Sequence, residues 1–508
     1  MPTKQRPRLT SEQRAGVEAT LALVKSGKGG AVKIAAGAGT GKTATLRSIA
    51  AHLRQIGLKP SEILYLAFNR GIKEEAKVKF AKLATVRTVH GLAYQALELY
   101  NATRPIGSLY PRQVKELLNI GDKAPGNVNG WDAARGVLET LKVFMNSEEL
   151  DVRDQHIPEV VRHQSRDPFY LAWVLQKAND LFSRITPDRD DTELPIPFDC
   201  YVKFWQCVGS PSLDRFKVVL LDEVQDISAV TLASLKENPT TPVVFVGDSA
   251  QQIYRYRQTI DAFRLIEGET LALSQSWRFG ERIASLSNRI LREKTEPALF
   301  EIKGNPALDT VIGRLDPSKP YAHLFRTNFG LLGEAIDLMA KDVPFEIVGD
   351  LSDLKQRVES SWGLFTSDRK KVRHPLISMF KSWRDMEQMA EQGSDPEIGQ
   401  CVKVIRELGG QIDLVRDLLS GKLNKPGGVI LSTAHRAKGL EWNQVKIAED
   451  FDQRLTTDDF MDPDSWDDEM NLLYVAITRA QGVLESDSVF VDNLWFEVQK
   501  EQLTAKAS

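Results

Sequence analysis

Continuous apolar runs that end abruptly on polar residues recur along this chain, and helical stripes follow them. The segment AVKIAAGAGTGKTATLRSIAAHL, residues 31 to 53, opens with a short apolar run and passes through a glycine-rich turn. It continues with Leu46, Ile49, Ala50 and Leu53 at helical spacing. An apolar run bounded by a turn predicts a strand buried on both faces, and a stripe of period 3.6 predicts an amphipathic helix. FKVVLLDEVQD, residues 216 to 226, repeats the run and ends it on Asp222 and Glu223. PVVFVGDSAQQ, residues 242 to 252, repeats it again and ends on Asp248 and Gln251. Buried strands with polar residues at their carboxyl ends predict a parallel α/β sheet whose ligands sit along that edge.

Composition adds boundaries. At 508 residues, 42% hydrophobic and 27% charged, the chain predicts a globular protein of two to four domains. A formal charge of -3 does not announce a nucleic-acid binder. A basic channel offset by acidic surface elsewhere, such as DDFMDPDSWDDE at 458 to 469, stays compatible with it. The three cysteines, Cys200, Cys207 and Cys401, are too few for a four-thiolate iron–sulfur cluster and suit a reducing compartment. The start MPTKQRPRLTSEQR has no apolar core of a secretory signal, and no run approaches a membrane span. The expected location is the cytosol, or the nucleus in a eukaryote.

The glycine-rich turn runs Ala36, Gly37, Ala38, Gly39, Thr40, Gly41, Lys42, Thr43. Glycines let backbone N–H groups close round a phosphate chain at a helix N-terminus. Lys42 then reaches the terminal phosphates and Thr43 offers a hydroxyl to Mg2+. Ala36 stands where the strict pattern has its first glycine. Asp222 is expected to anchor the same Mg2+ and Glu223 to polarise the attacking water. Asp248 and Gln251 are expected to face the nucleotide. The adjoining Ile253-Tyr254-Arg255-Tyr256-Arg257 exceeds what a nucleotide needs; Tyr254 and Tyr256, flanked by guanidiniums, predict a platform for unstacked bases.

In this order the motifs resemble those of the UvrD/Rep-like superfamily 1 DNA helicases, and most of all the helicase portion of the F-box DNA helicases, without an F-box segment. The resemblance runs from about Leu9 to Val489. It implies that Gln13 recognises adenine and that Phe68, Asn69 and Arg70, in ILYLAFNRG, contact DNA. It assigns the same role to Thr88 and His90 of TVHGLAY, and to Tyr256, with Arg257 beside it. In LSQSWRFG, Trp277 would stack on adenine and Arg278 would reach the γ-phosphate. VILSTAHRAKGLEW supplies Thr433 and His435 as DNA contacts and Glu441 for the ribose. In NLLYVAITRAQ, Tyr474 and Thr478 match and Arg479 would be a second γ-phosphate arginine; Asn471 stands where many relatives have Arg.

The resemblance further implies two RecA-like motor domains, 1–100 with 198–280 and 281–360 with 425–508, and ATP bound between them. Residues 101–197, including the helical stretches PRQVKELLNI and WDAARGVLETLKVFM, would form one helical insertion, and 361–424 a smaller one. The implied activity is ATP-driven, Mg2+-dependent movement from 3′ to 5′ on single-stranded DNA and strand separation at single-strand/duplex junctions, in repair, recombination or replication. Two alternatives use part of the same chemistry. A small-molecule kinase needs Lys42 but not Arg278, Arg479 or Tyr256. A DNA-dependent ATPase that does not unwind, or a motor subunit of a larger complex, needs all of them.

Overall fold

The computed structural model describes residues 9–190, 192–238, 240–253, 260, 262–378, 380–391, 396–455 and 462–507. Tyr254, Tyr256 and Arg257 lie outside the described residues, as do 458–461 of the acidic stretch. The chain divides into two compact units, Met1–Ala36 with Gly41–Leu273, and Gly37–Thr40 with Ser274–Ser508.

The first unit holds a six-stranded sheet: β1 (Gly30–Ala36), β2 (Ile63–Ala67), β3 (Thr85–Thr88), β4 (Val218–Leu221), β5 (Pro242–Gly247) and β6 (Thr270–Leu273). The order is β3-β2-β4-β5-β1-β6 and every pairing is parallel. β2, β4 and β5 are buried along their whole length, as their unbroken apolar runs predict. The helix Lys42–Gln55 lays Leu46, Ile49, Ala50 and Leu53 into the core with Ile34, Tyr65, Val218 and Val244.

A helical insertion grows from this unit on two legs pinned together by a bridge between Ile106 and Ile196. Arg104 is buried at its base and donates to the carbonyls of Ile185, Thr186, Arg189 and Leu194. It thereby closes the C-terminal end of the helix Pro168–Ile185 with a cation, as the helix dipole favours. The helices Pro111–Leu117, Gly130–Asn146 and Pro168–Ile185 share a core of their own around Val137, Leu141, Phe144 and Leu181.

The second unit repeats the sheet architecture with β7 (Val311–Ile312), β8 (Tyr321–Phe325), β9 (Phe345–Ile347), β10 (Val429–Thr433), β11 (Trp442–Ile447) and β12 (Ala480–Ser486). Its order is β7-β12-β11-β8-β10-β9, again all parallel. Between β9 and β10 the chain leaves the sheet for the helices Ser352–Phe365, Trp383–Glu391, Pro396–Leu408 and Ile412–Leu419. Leu364, Ile377, Phe380, Met386 and Ile398 form a separate small core there. No described helix is long and apolar enough to cross a membrane.

Candidate functional site

In the first unit the candidate residues gather at the carboxyl edge of the parallel sheet. β1 runs into the glycine-rich turn, and the helix that follows begins at Lys42 with Gly41 as its cap. Gly39 and Gly41 adopt φ of 73° and 86°, the left-handed region that a side chain resists. Gln13 sits beside the start of this helix: its amide nitrogen would stand 3.3 Å from a Cβ built on Gly41. Its carbonyl oxygen accepts from Thr10 N–H, closing a capping box on the helix Ser11–Lys25.

β4 ends on Asp222, whose side chain is buried, and on Glu223, whose backbone turns left-handed at φ 54°. The Thr43 hydroxyl donates to Asp222 Oδ2 at 3.3 Å. A hydroxyl and a carboxylate oxygen are the ligands expected of Mg2+, which takes one or two protein oxygens and completes its shell with water and substrate phosphates. Burial and the neighbouring Glu223 carboxylate push the Asp222 carboxyl up to about 6. Two donors oppose that rise: Tyr65 O–H at 2.6 Å on Oδ2 and Glu223 N–H at 3.0 Å on Oδ1. Tyr65 is itself buried in β2, and its own pKa is driven upward by burial and by Asp222, so the phenol stays a donor.

Glu223 is held by Gln225, whose amide donates to Glu223 Oε2 at 2.6 Å. The carbonyl oxygen of the same Gln225 accepts from Asp248 N–H at 3.0 Å. Asp248 in turn receives Gln251 Nε2 at 2.6 Å on Oδ2. One polar chain therefore joins the ends of β4 and β5 from Glu223 to Gln251. Gly247 is required for it, because a Cβ there would lie 2.4 Å from the Gln225 oxygen. Gln251 was expected to face a nucleotide; its described side-chain contact is this one to Asp248. Neither Tyr65 nor Gln225 was singled out in the sequence.

The expected DNA contacts of the first unit also stand at strand ends. Phe68 is half-buried and Asn69 caps the helix Arg70–Lys79 by accepting from Ile72 N–H, with Arg70 exposed. Thr88 ends β3 and caps the helix Val89–Ala96 through Gly91 N–H at 3.1 Å. His90 is half-exposed and lies 3.8 Å from Asp199. Asn69 and Thr88 thus have a structural duty in addition to the one the resemblance gives them.

Within the second unit, Ala38 N–H donates to the Tyr474 hydroxyl at 2.9 Å and Trp277 N–H to Gly39 O at 2.9 Å. The Trp277 ring is half-exposed. Arg278 Nε donates to Glu441 Oε2 at 2.7 Å, and Gln481 holds the other Glu441 oxygen at 2.9 Å. The arginine and the glutamate, expected on γ-phosphate and ribose, engage each other here. Arg479 is fully buried at the end of the helix Pro463–Ile477 and donates to Val475 O, Leu440 O and the Thr478 hydroxyl. Thr433 is buried at the end of β10 and His435 half-buried in the short helix Ala434–Ala437 that follows it. Arg326 forks onto Glu469 at 2.7 and 2.6 Å, which gives it a structural task at the end of β8.

Comparison with known proteins adds the following. The family model described as an AAA domain matches residues 20–257, and that of the UvrD-like helicase C-terminal domain matches 341–485. The chain is 29% identical over 517 residues to F-box DNA helicase protein 1 of Schizosaccharomyces pombe, covering 93% of this chain and 56% of that protein. It is 26% identical over 503 residues to F-box DNA helicase 1 of Gallus gallus, covering 90% of this chain and 47% of that one. DNA helicase IV of Escherichia coli is 27% identical over 307 residues, 51% of this chain and 45% of that protein. The chain spans about half the length of these curated relatives.

Proposed function

From the premise that this chain belongs to the UvrD-like helicases, we propose that it is an ATP-dependent DNA helicase that moves 3′ to 5′ along single-stranded DNA. The observation that carries the reading is the convergence of Thr43, Asp222 and Glu223 at the edge of one parallel sheet, with Lys42 heading the adjoining helix.

In this reading the amides of Gly37–Gly41 and the Lys42 ammonium hold the phosphates, while Gln13, Trp277 and Glu441 serve adenine and ribose. Thr43 and Asp222 would hold Mg2+, which would supply charge neutralisation on the phosphates. Glu223, oriented by Gln225, polarises the attacking water. Arg278 and Arg479 offset the charge that develops on the transferred phosphoryl group. Phe68, Asn69, Arg70, Thr88, His90, Thr433 and His435 contact the strand, with Tyr254, Tyr256 and Arg257. The polar chain from Glu223 ends at Gln251, five positions before Tyr256 in the sequence, which supports a link between hydrolysis and grip on DNA. The 3′ to 5′ direction rests on the resemblance to UvrD and Rep.

The test is hydrolysis and strand separation on duplexes with a single 3′ or 5′ tail. ATP hydrolysis stimulated by single-stranded DNA and unwinding from the 3′ tail are expected. Unwinding from the 5′ tail alone would overturn the direction, and hydrolysis without unwinding on either tail would favour a translocase that strips proteins from DNA.

Tyr65→Phe offers a narrower check. The phenol donates to the carboxylate oxygen that also receives Thr43, so its loss leaves Asp222 short of a donor and higher in pKa. Half-saturating Mg2+ for hydrolysis is expected to rise about tenfold, near the lower end of what a hydrogen bond to a charged group contributes. Turnover at saturating Mg2+ should stay close to wild type. Mn2+ binding with ATP present, followed by electron paramagnetic resonance, should weaken in parallel; an unchanged metal requirement would reduce Tyr65 to a core residue.

A further inference from the structure

One amide of the glycine-rich turn is already engaged by a side chain. Ala38 N–H donates to the Tyr474 hydroxyl at 2.9 Å, across 436 positions of sequence. Both residues are fully buried, so water does not compete for this bond. The backbone amides of such a turn are the groups that close round a phosphate chain. A neighbouring amide is spent differently: Thr40 N–H turns inward onto Gly37 O at 3.3 Å and shapes the turn itself. Tyr474 thus sets a neutral oxygen on a donor that suits an anionic one.

The contact is held from both sides. Gly37 lies so close to Phe300 and Ile302 that a Cβ there would stand 3.0 Å from each side chain. Asn288 fixes Ile302 by donating to its carbonyl and accepting from its N–H, each at 2.8 Å. Gly39 O accepts from Trp277 N–H at 2.9 Å, and a Cβ on Gly39 would lie 2.6 Å from Ser276 Oγ. Ala38 is therefore gripped on either side. In the helix Pro463–Ile477 every residue from Met470 to Ile477 is buried, which sets where the Tyr474 ring enters. Thr478, one turn on, donates its hydroxyl to Tyr474 O at 2.8 Å, and its own carbonyl accepts from Arg278 Nη1 at 3.1 Å. Ala38 N–H is thus linked, through Tyr474 and one turn of helix, to the arginine expected on the γ-phosphate.

We infer that the Tyr474 hydroxyl is a stand-in for a phosphate oxygen: it holds Ala38 N–H in the free protein, and the phosphates of a nucleotide displace it on binding. The inference rests on the nucleotide-site reading above and adds regulation to it, because each binding event gives up one hydrogen bond. A phosphate wins the exchange, since a hydrogen bond to a charged acceptor is roughly twice as strong as one between neutral groups. Nucleoside phosphates therefore move Tyr474, and with it the helix end that holds Arg278, whereas an unphosphorylated nucleoside does not. The competing account makes Tyr474 a strut that keeps the turn in its binding shape. The two differ in sign: loss of a strut weakens nucleotide binding, and loss of a competitor strengthens it.

The experiment compares the full chain with Tyr474→Phe, which keeps the ring and removes the oxygen, by calorimetric titration with ADP and Mg2+ and with adenosine. In the variant the buried Ala38 N–H lacks this acceptor until a phosphate arrives. ADP should bind about 3-fold to 10-fold tighter, the range that one hydrogen bond contributes, with adenosine affinity unchanged. The melting temperature of the free variant should fall, and the rise brought by saturating ADP should exceed that of the wild type. Unchanged or weaker ADP binding overturns the inference, as does an equal gain for adenosine. Should Tyr474→Phe fail to fold, a ring-fluorinated tyrosine at position 474 keeps the hydroxyl, and its fluorine resonance should move with ADP and stay in place with adenosine. A resonance indifferent to ADP overturns the inference. If the wild-type chain binds neither ADP nor ATP, the nucleotide-site reading itself fails and this inference falls with it; if the wild type binds and the variant binds no tighter, only the inference falls.

Discussion

Replacing Glu223 with Gln is expected to lower ATP turnover by about 10²-fold to 10⁴-fold, the range that a positioned general base contributes. ATP binding should stay within a few fold. The substitution leaves the local geometry intact, because the amide oxygen of Gln still accepts from Gln225, which now donates to Glu223 Oε2 at 2.6 Å. It removes only the carboxylate charge next to the attacking water. Lys42→Ala should abolish turnover by another route, weakening the hold on the terminal phosphates and hence ATP binding as well. Gln225→Ala should fall between wild type and Glu223→Gln in kcat with little change in KM, since it frees the Glu223 side chain and cuts the connection to Asp248. Steady-state hydrolysis at saturating single-stranded DNA, together with binding of a fluorescent ATP analogue, distinguishes the three. Undiminished hydrolysis by purified Lys42→Ala or Glu223→Gln protein would sink the site assignment.

What could be read from the sequence follows physical range. The helix after the glycine-rich turn buries the Leu46, Ile49, Ala50 and Leu53 that its periodicity selects, because a stripe depends only on neighbours within two turns. The strands before Asp222 and Asp248 were legible for the same reason: a parallel strand covered on both faces must be apolar throughout. Tyr65 was not legible as a partner of Asp222, since in an apolar run a tyrosine reads as core. Its role depends on the register that pairs it with Leu220 and puts the phenol beside the next strand's end. Gln225 stood within the motif, yet its second contact, to Asp248, is set by how β4 and β5 align. The pair of Arg278 and Glu441 joins residues 163 positions apart, so no local pattern announces it. Asn69 and Thr88 illustrate the reverse case. A polar residue immediately before a helix is a strong cap signal, and both were read for DNA alone although each caps the helix that follows it.

Arg278→Ala is expected to cost about 10³-fold to 10⁵-fold in turnover, as for arginines that neutralise charge in phosphoryl transfer. The loss should fall on kcat far more than on ATP affinity, because the charge being neutralised is greatest in the transition state. Stability should change little. The pair that Arg278 now makes with Glu441 leaves the glutamate side chain 45% exposed, and such pairs contribute about 0 to 1 kcal/mol. That makes Arg278 the cleaner probe of the two arginines. Arg479 is 1% exposed and its guanidinium serves the carbonyls of Val475 and Leu440. Removing it breaks these hydrogen bonds, each contributing about 0.5 to 1.5 kcal/mol, and empties a buried site, so Arg479→Ala should lower the melting temperature as well as turnover, although Thr478 still donates to the Val475 carbonyl at 3.2 Å. Arg278→Lys should recover little activity, since an ammonium is a point charge and lacks the planar fork of donors. Glu441→Gln weakens the competing attachment of Arg278 and should leave kcat near wild type while changing KM for ATP. Equal losses in affinity and none in rate for Arg278→Ala would instead make it a ground-state ligand. Full activity would leave it a structural residue that holds Glu441 and the Thr478 carbonyl.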